Sequence, residues 1–437
     1  MPQIRPFTAL RYSRSRDLDL SRLIAPPFDV LDAAGKAALT ARSPNNIVAV
    51  DLPHLPAKTV GPDEAYARAA VTFSAWQSAG ILERDHRPSF YPYTQIYSVG
   101  DREFHRRGFV ALVRITPFGA GDVVPHEKTY KEAIVDRLKL MTATRAQLSP
   151  IFGLFNDPRG EANNLLYRNA SRPEVSATLD GVRNDLWSIS DTQIQNQVID
   201  QLNHKPIYIA DGHHRYTTAV EYQAQAVAAN GGKPLPANHP ANFCMFVLVP
   251  FQDDGLLILP THRLIGGLRS FTVESLIRLI ADQFEVAEAT LPAEKLVEFT
   301  DEHLPKTAPH TMGLYDAATR KLYEIRPRDP DMLKNLEPNH SPAWRKLDVA
   351  ILQRYLVEEI LTPHFAVGEL KKGYTANAAE VLPQMDGNTF QIAFLLKSTP
   401  LRALEDLGKT NEVMPQKSTY FVPKLATGML INPLTYE

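Results

Sequence analysis

Between Ile207 and Val220 the chain reads IYIADGHHRYTTAV, placing an acid, two imidazoles, a guanidinium and hydroxyls within a few residues. Ile207, Tyr208 and Ile209 form a short β-rich apolar run, Gly212 breaks it, and Tyr216, Ala219, Val220 and Gln223 then recur at helical spacing. The cluster Asp211, Gly212, His213, His214 and Arg215 therefore belongs at a helix N-terminus. There the free backbone N–H groups and the positive end of the helix dipole attract anions. A guanidinium adds a fork that grips phosphate or carboxylate through two parallel bonds. Phosphate binding is the chemistry this spacing predicts; capping alone needs fewer polar groups. A metal site is less well served, because neighbouring helical residues diverge by about 100°, so His213 and His214 do not address one ion.

Three other segments carry reactive side chains. The Gly- and Pro-rich stretch PFGAGDVVPHEKTY delivers His126, Glu127, Lys128 and Thr129 just ahead of a helix. Tyr130 stands where HExxH would need its second histidine, which removes the usual metalloprotease reading. Glu127 can take a proton from a substrate hydroxyl or hold a magnesium ion. In MPQKSTYFVPK, Lys417, Ser418 and Thr419 follow a proline-fixed turn, a point charge and two hydroxyls suited to phosphate but without the glycines of a Walker motif. PTHRL sets Thr261, His262 and Arg263 at a strand end, where ligand groups commonly collect.

The elements that must position these residues are ordinary globular ones. The 437 residues are 44% hydrophobic, ample for two or more cores. Lys plus Arg number 47 against 49 Asp plus Glu, a net charge of −2, so no global basic field holds nucleic acid. Cys244 is the single cysteine and lies in the apolar run FCMFVLVP, where it reads as a buried small hydrophobe. No apolar segment approaches the roughly 20 residues that span a bilayer, and MPQIRPFTALRYSR lacks the apolar core of a signal peptide; a soluble, cytoplasmic protein is expected. Patterning predicts helices from an Asp32 cap through Ala41, along the Ala65, Ala69, Phe73, Trp76 stripe, from Gln193 to Leu202 and from Thr272 to Phe284, and a long one within SPAWRKLDVAILQRYLVEEIL. It predicts strands at Ile47–Leu52 and in LSPIFGLFND, and hairpins turning at Gly100, at Asp316, and across Gln252 to Gly255 between FCMFVLVP and GLLILPTHRLI. The class is α+β, with mixed or antiparallel sheets and flanking helices. Loop-rich seams at residues 229–242 and 363–373 give an N-terminal domain over 1–230, carrying HEKT and DGHHR, and a C-terminal domain over 240–437, carrying PTHR and MPQKST.

The series APPFDV, SPNNIV, HEKT with DRL, SPIF, ADGHHRY, PTHR and MPQKSTYFVPK, in this order, resembles the domain-of-unknown-function 1015 family of bacteria and archaea. Phe28 stands where that family more often has tyrosine. The ADGHHR turn is also similar to the phosphate-binding turn of the ParB and sulfiredoxin superfamily, which includes nucleotide hydrolases and free-serine kinases. That resemblance implies a ParB/sulfiredoxin-like core in which Asp211 to Arg215 cradle phosphate while another segment supplies a carboxylate.

Together these readings give a phosphotransferase or phosphatase acting on a small hydroxy amino acid or its phosphate ester, serine or phosphoserine first. Gly212 and Arg215 would hold the phosphate with Lys417, Ser418 and Thr419. Glu127 or Asp211 would act as base, and His213 or His214 as acid. His126, Thr129, His262 and Arg263 would contact substrate, Arg263 through its carboxylate. Mg2+ and ADP or ATP are the cofactors considered, no resident metal site is assigned, and the partner is a small phosphorylated metabolite or nucleotide, with neither membrane nor nucleic acid. Two other classes remain open: a non-catalytic nucleotide-binding regulator of the ParB type, and a histidine-based metal-dependent hydrolase.

Overall fold

The computed structural model describes residues 3–119, 122–168, 170, 172–203, 205–387 and 389–435. The protein is α+β and divides into two units: residues 1–125, 129–257 and 423–437 form the first, and residues 126–128 with 258–422 the second.

The first unit is built on a mixed sheet. Its strands run in the order Val123–Val124, Ile207–Asp211, Ile151–Phe155, Phe243–Pro250, Arg102–Arg114, Tyr91–Val99, Val182–Leu186 and Val175–Leu179, with Ile4–Arg5 also on Arg102–Arg114. Tyr91–Val99 and Arg102–Arg114 make the hairpin that Gly100 and Asp101 predict. FCMFVLVP does not make the second one. Phe243–Pro250 is buried along its whole length, parallel to Ile151–Phe155 and antiparallel to Arg102–Arg114, while His262–Leu268 belongs to the other unit's sheet. The physical reason is that an unbroken apolar run buries most on both faces of a central strand, not in a two-stranded ribbon. Phe109, Ile151, Phe155, Ile207, Tyr216 and Phe246 form one core of this unit.

A second cluster gathers Val48, Tyr66, Phe73, Trp76, Leu140 and Leu148. Here the strand expected at Ile47–Leu52 is a short helix, Val48–Asp51. Asn46 Oδ1 caps it by accepting from the Val48 N–H at 3.0 Å, and a single turn suffices to bury Ile47, Val48, Val50 and Leu52. The helix Ala33–Arg42 begins at Asp32, whose carboxylate accepts from Gly35 N as the cap position predicts.

The second unit carries an antiparallel sheet in the order Phe284–Glu288, Lys321–Pro327, Met312–Asp316, Ile392–Leu395, His262–Leu268, Ala366–Thr375. Leu264, Leu296, Phe299, Tyr315 and Leu395 pack its core. The helix expected over Thr272–Phe284 stops at Ile280, and Phe284 opens a strand instead. The long helix expected after Ser341 is divided into Pro342–Arg345, Asp348–Ile351, a wide π-helical stretch Leu352–Leu361, and Thr362–Phe365. The stretch read as a seam at 363–373 is largely the strand Ala366–Thr375. No helix among the described residues is long and apolar enough to cross a membrane.

Candidate functional site

The strand Ile207–Asp211 lies between Val123–Val124 and Ile151–Phe155, and a register shift after Ile209 sets Asp211 opposite Phe152. Gly212 follows at φ 96, a left-handed conformation that a side chain resists. The helix His213–Ala229 then begins. A Cβ on Gly212 would stand 3.0 Å from the Arg215 guanidinium, because Arg215 folds back over the turn. Its NH2 donates to Asp211 Oδ2 at 3.1 Å, and its NH1 donates to the Pro150 carbonyl. Two N–H groups of the fork that the sequence assigns to a phosphate thus bond the protein's own acceptors, and Arg215 shapes the turn.

The other Asp211 oxygen receives Lys424 Nζ at 3.3 Å. Lys424 was not singled out from the sequence, although it ends the same MPQKSTYFVPK stretch. Two buried groups fix it: Gln95 Nε2 donates to the Lys424 carbonyl at 3.1 Å, and Arg106 NH2 donates to the Pro423 carbonyl at 2.6 Å. Arg106 is 2% exposed, lies over the Phe152 ring, and has its pKa lowered to about 10 by burial. Burial alone would raise the Asp211 carboxyl; Lys424, Arg215 and His213 outweigh it and hold the group well below the usual carboxylate range. One ionised acid is thereby flanked by two permanent cations, Lys424 and Arg215, at the positive end of a helix.

His213 is buried at the first helical position. His214 Nε2 accepts from the Tyr130 backbone N–H at 3.0 Å, and the two rings stack with centroids 5.8 Å apart. Tyr130 is the residue preceding the helix Lys131–Thr144, so His214 satisfies one of that helix's leading donors. Thr129 sits immediately before it, half-buried. Burial pushes the Cys244 thiol up to about 12, in keeping with a packing role.

The second unit gathers the remaining motifs. His126 Nε2 pairs with Thr419 Oγ1 at 2.9 Å, and Glu127 Oε1 accepts from the Lys417 N–H at 3.1 Å. Arg263 spends its donors on the carbonyls of Thr261, Gln416 and Lys417 while its guanidinium covers the Tyr374 ring. Ser418 Oγ donates to the Pro415 carbonyl. Arg263 and Ser418 therefore build the MPQKST turn, leaving the Lys417 side chain exposed. His262 is fully buried, its Nδ1 accepts from the Leu396 N–H, and burial, helped by Arg263, lowers its pKa to about 4. It is a neutral imidazole holding a strand. HEKT, PTHR and MPQKST thus come together with one another, and DGHHR comes together with Tyr130 and Lys424. Among the described residues no three His, Cys, Asp or Glu side chains are gathered as a metal site would require.

The family described as Protein of unknown function (DUF1015) matches residues 4–350. The chain belongs to this family. The curated proteins contain no match. Among solved structures, the DUF1015 chain is similar to a free serine kinase in complex with AMP, at 14% identity over 70% of this chain and 89% of that one, with a TM-score of 0.33. It is also similar to a conserved hypothetical protein from Pyrococcus furiosus, at 16% identity over 71% and 92% of the two chains and a TM-score of 0.32. SbnI with a C-terminal truncation, from Staphylococcus aureus, shares 11% identity over 74% of this chain and 87% of its own, with a TM-score of 0.36.

Proposed function

We propose that this DUF1015 protein binds a phosphoryl group at the Asp211–Arg215 turn and transfers it to or from a small hydroxy amino acid, with serine or phosphoserine as the first substrate and ADP or ATP as the nucleotide. The observation that carries the reading is the pair of fixed positive charges, Lys424 and Arg215, on one ionised carboxylate at a helix N-terminus. Phosphoryl transfer asks a protein mainly for positioning and charge stabilisation, which such a turn supplies. Lys424 holds the phosphoryl oxygens and Asp211, kept ionised, accepts the hydrogen bond of the attacking hydroxyl and takes its proton as the oxygen bonds to phosphorus. Arg215 keeps Asp211 in place. Glu127, Lys417 and Thr419 belong to the reading as a second polar cluster, with Mg2+ as the ion that Glu127 would help hold.

Phosphate release from phosphoserine, run beside ADP- and ATP-dependent phosphorylation of serine, tests the proposal. Turnover in one of the two assays is expected, with Lys424→Gln slowing it about 100-fold, the loss typical of one electrostatic donor. Absence of turnover in both at high enzyme concentration would remove the catalytic reading.

A further inference from the structure

The second unit contains a concave pocket of about 370 Å3 with no part in the reading above. Its lining combines apolar Pro309, Leu347 and Ala403 with the cations Lys346, Lys397 and Arg402. Two acids also line it and offset part of this charge, Asp406 that of Arg402. Asp348 Oδ1 pairs with His310 Nδ1 at 2.7 Å, and Asp406 pairs with Lys409 at 3.0 Å and with Arg402 at 3.4 Å. Lys397 Nζ donates to the carbonyls of Thr307 and Ala308 at 3.0 and 2.8 Å, which leaves one ammonium proton unspent by those bonds. The helix Leu401–Lys409 starts at the pocket behind Pro400, with no side chain capping its leading N–H groups. His310 lies at φ 65, a strained conformation for a residue with a Cβ, and its Nδ1 is held by Asp348 at the pocket wall.

We propose that this pocket is a second binding site, taking a small oxyanion, phosphate ester or carboxylate, carried on an apolar body. Lys346, Lys397 and the leading N–H groups of Leu401–Lys409 receive the oxyanion, and Leu347 packs on the apolar part.

The test is calorimetric titration of the full chain carrying Lys424→Gln, which weakens the other anion site, with phenyl phosphate, benzoate and inorganic phosphate. Saturable binding of phenyl phosphate or benzoate is expected, and whichever binds more tightly names the ligand's acid group. Inorganic phosphate should bind about tenfold more weakly for lack of the apolar contact. Adding Lys346→Gln or Lys346→Glu, at an exposed position, should weaken binding about tenfold or more with the thermal midpoint unchanged. A loss in either folded variant supports the site. Unchanged affinity in both, no saturable binding of either organic anion, or inorganic phosphate binding as tightly as phenyl phosphate would overturn the proposal.

Discussion

Asp211 keeps its charge because Lys424 stands 3.3 Å from one oxygen and Arg215 3.1 Å from the other. A carboxyl whose folded pKa lies below its unfolded value, about 3.9, adds stability that is fully present above the unfolded value and is lost as pH falls through the folded one. Asp211→Asn is therefore expected to cost roughly 1–3 kcal/mol at pH 7, and the gap from wild type should close on acidification below about pH 4. Urea unfolding of both proteins across pH 2–7, a range set by roughly these pKa values, measures this; a pH-independent gap would show that charge is not what Asp211 contributes. At this scale the acid, glycine and arginine were legible because they are contiguous in ADGHHR. Lys424 was not, because the separation of 213 residues between it and Asp211 is closed only by the fold. The role of Arg215 was also hidden, since its acceptor on Pro150 comes from another segment.

At the scale of elements, the helix His213–Ala229 was readable from its periodicity, and its second residue has an unexpected task. By accepting from the Tyr130 N–H, His214 supplies the leading turn of Lys131–Thr144 with an acceptor from a different helix. Removing that acceptor in His214→Ala should cost about 1 kcal/mol, the usual worth of a helix cap, and should increase amide exchange in the first turn of Lys131–Thr144. Equal exchange at Tyr130 and the residues that follow it in the two proteins would refute the capping role. The misread elements share a cause. Ile47–Leu52 and FCMFVLVP are short apolar runs whose local pattern suits several structures, and their neighbours in space decide between them. Asn46 turns the first into a helix, and two flanking strands draw the second into the centre of a sheet.

For the molecule as a whole, a net charge of −2 supplies no global basic field for a nucleic-acid duplex. Random duplex DNA at low salt, the condition most favourable to non-specific electrostatic binding, is expected to show no retardation by the protein in a gel shift. Retardation that weakens steeply with added salt would point instead to a duplex-binding surface. The sequence by itself determined the α+β class, the family membership, and the strand-to-helix turn at ADGHHR, because hydrophobic periodicity, a residue that tolerates φ 96, and a run of adjacent polar groups are local properties. Only the tertiary structure decided which charges meet. Each unit is assembled from separated stretches of chain, so that residues 126–128 leave Thr129 for the second unit while residues 423–437 return to the first. A charge acts on whatever lies within a few ångströms of it, and that distance is set by sheet order and packing, which sequence spacing does not record.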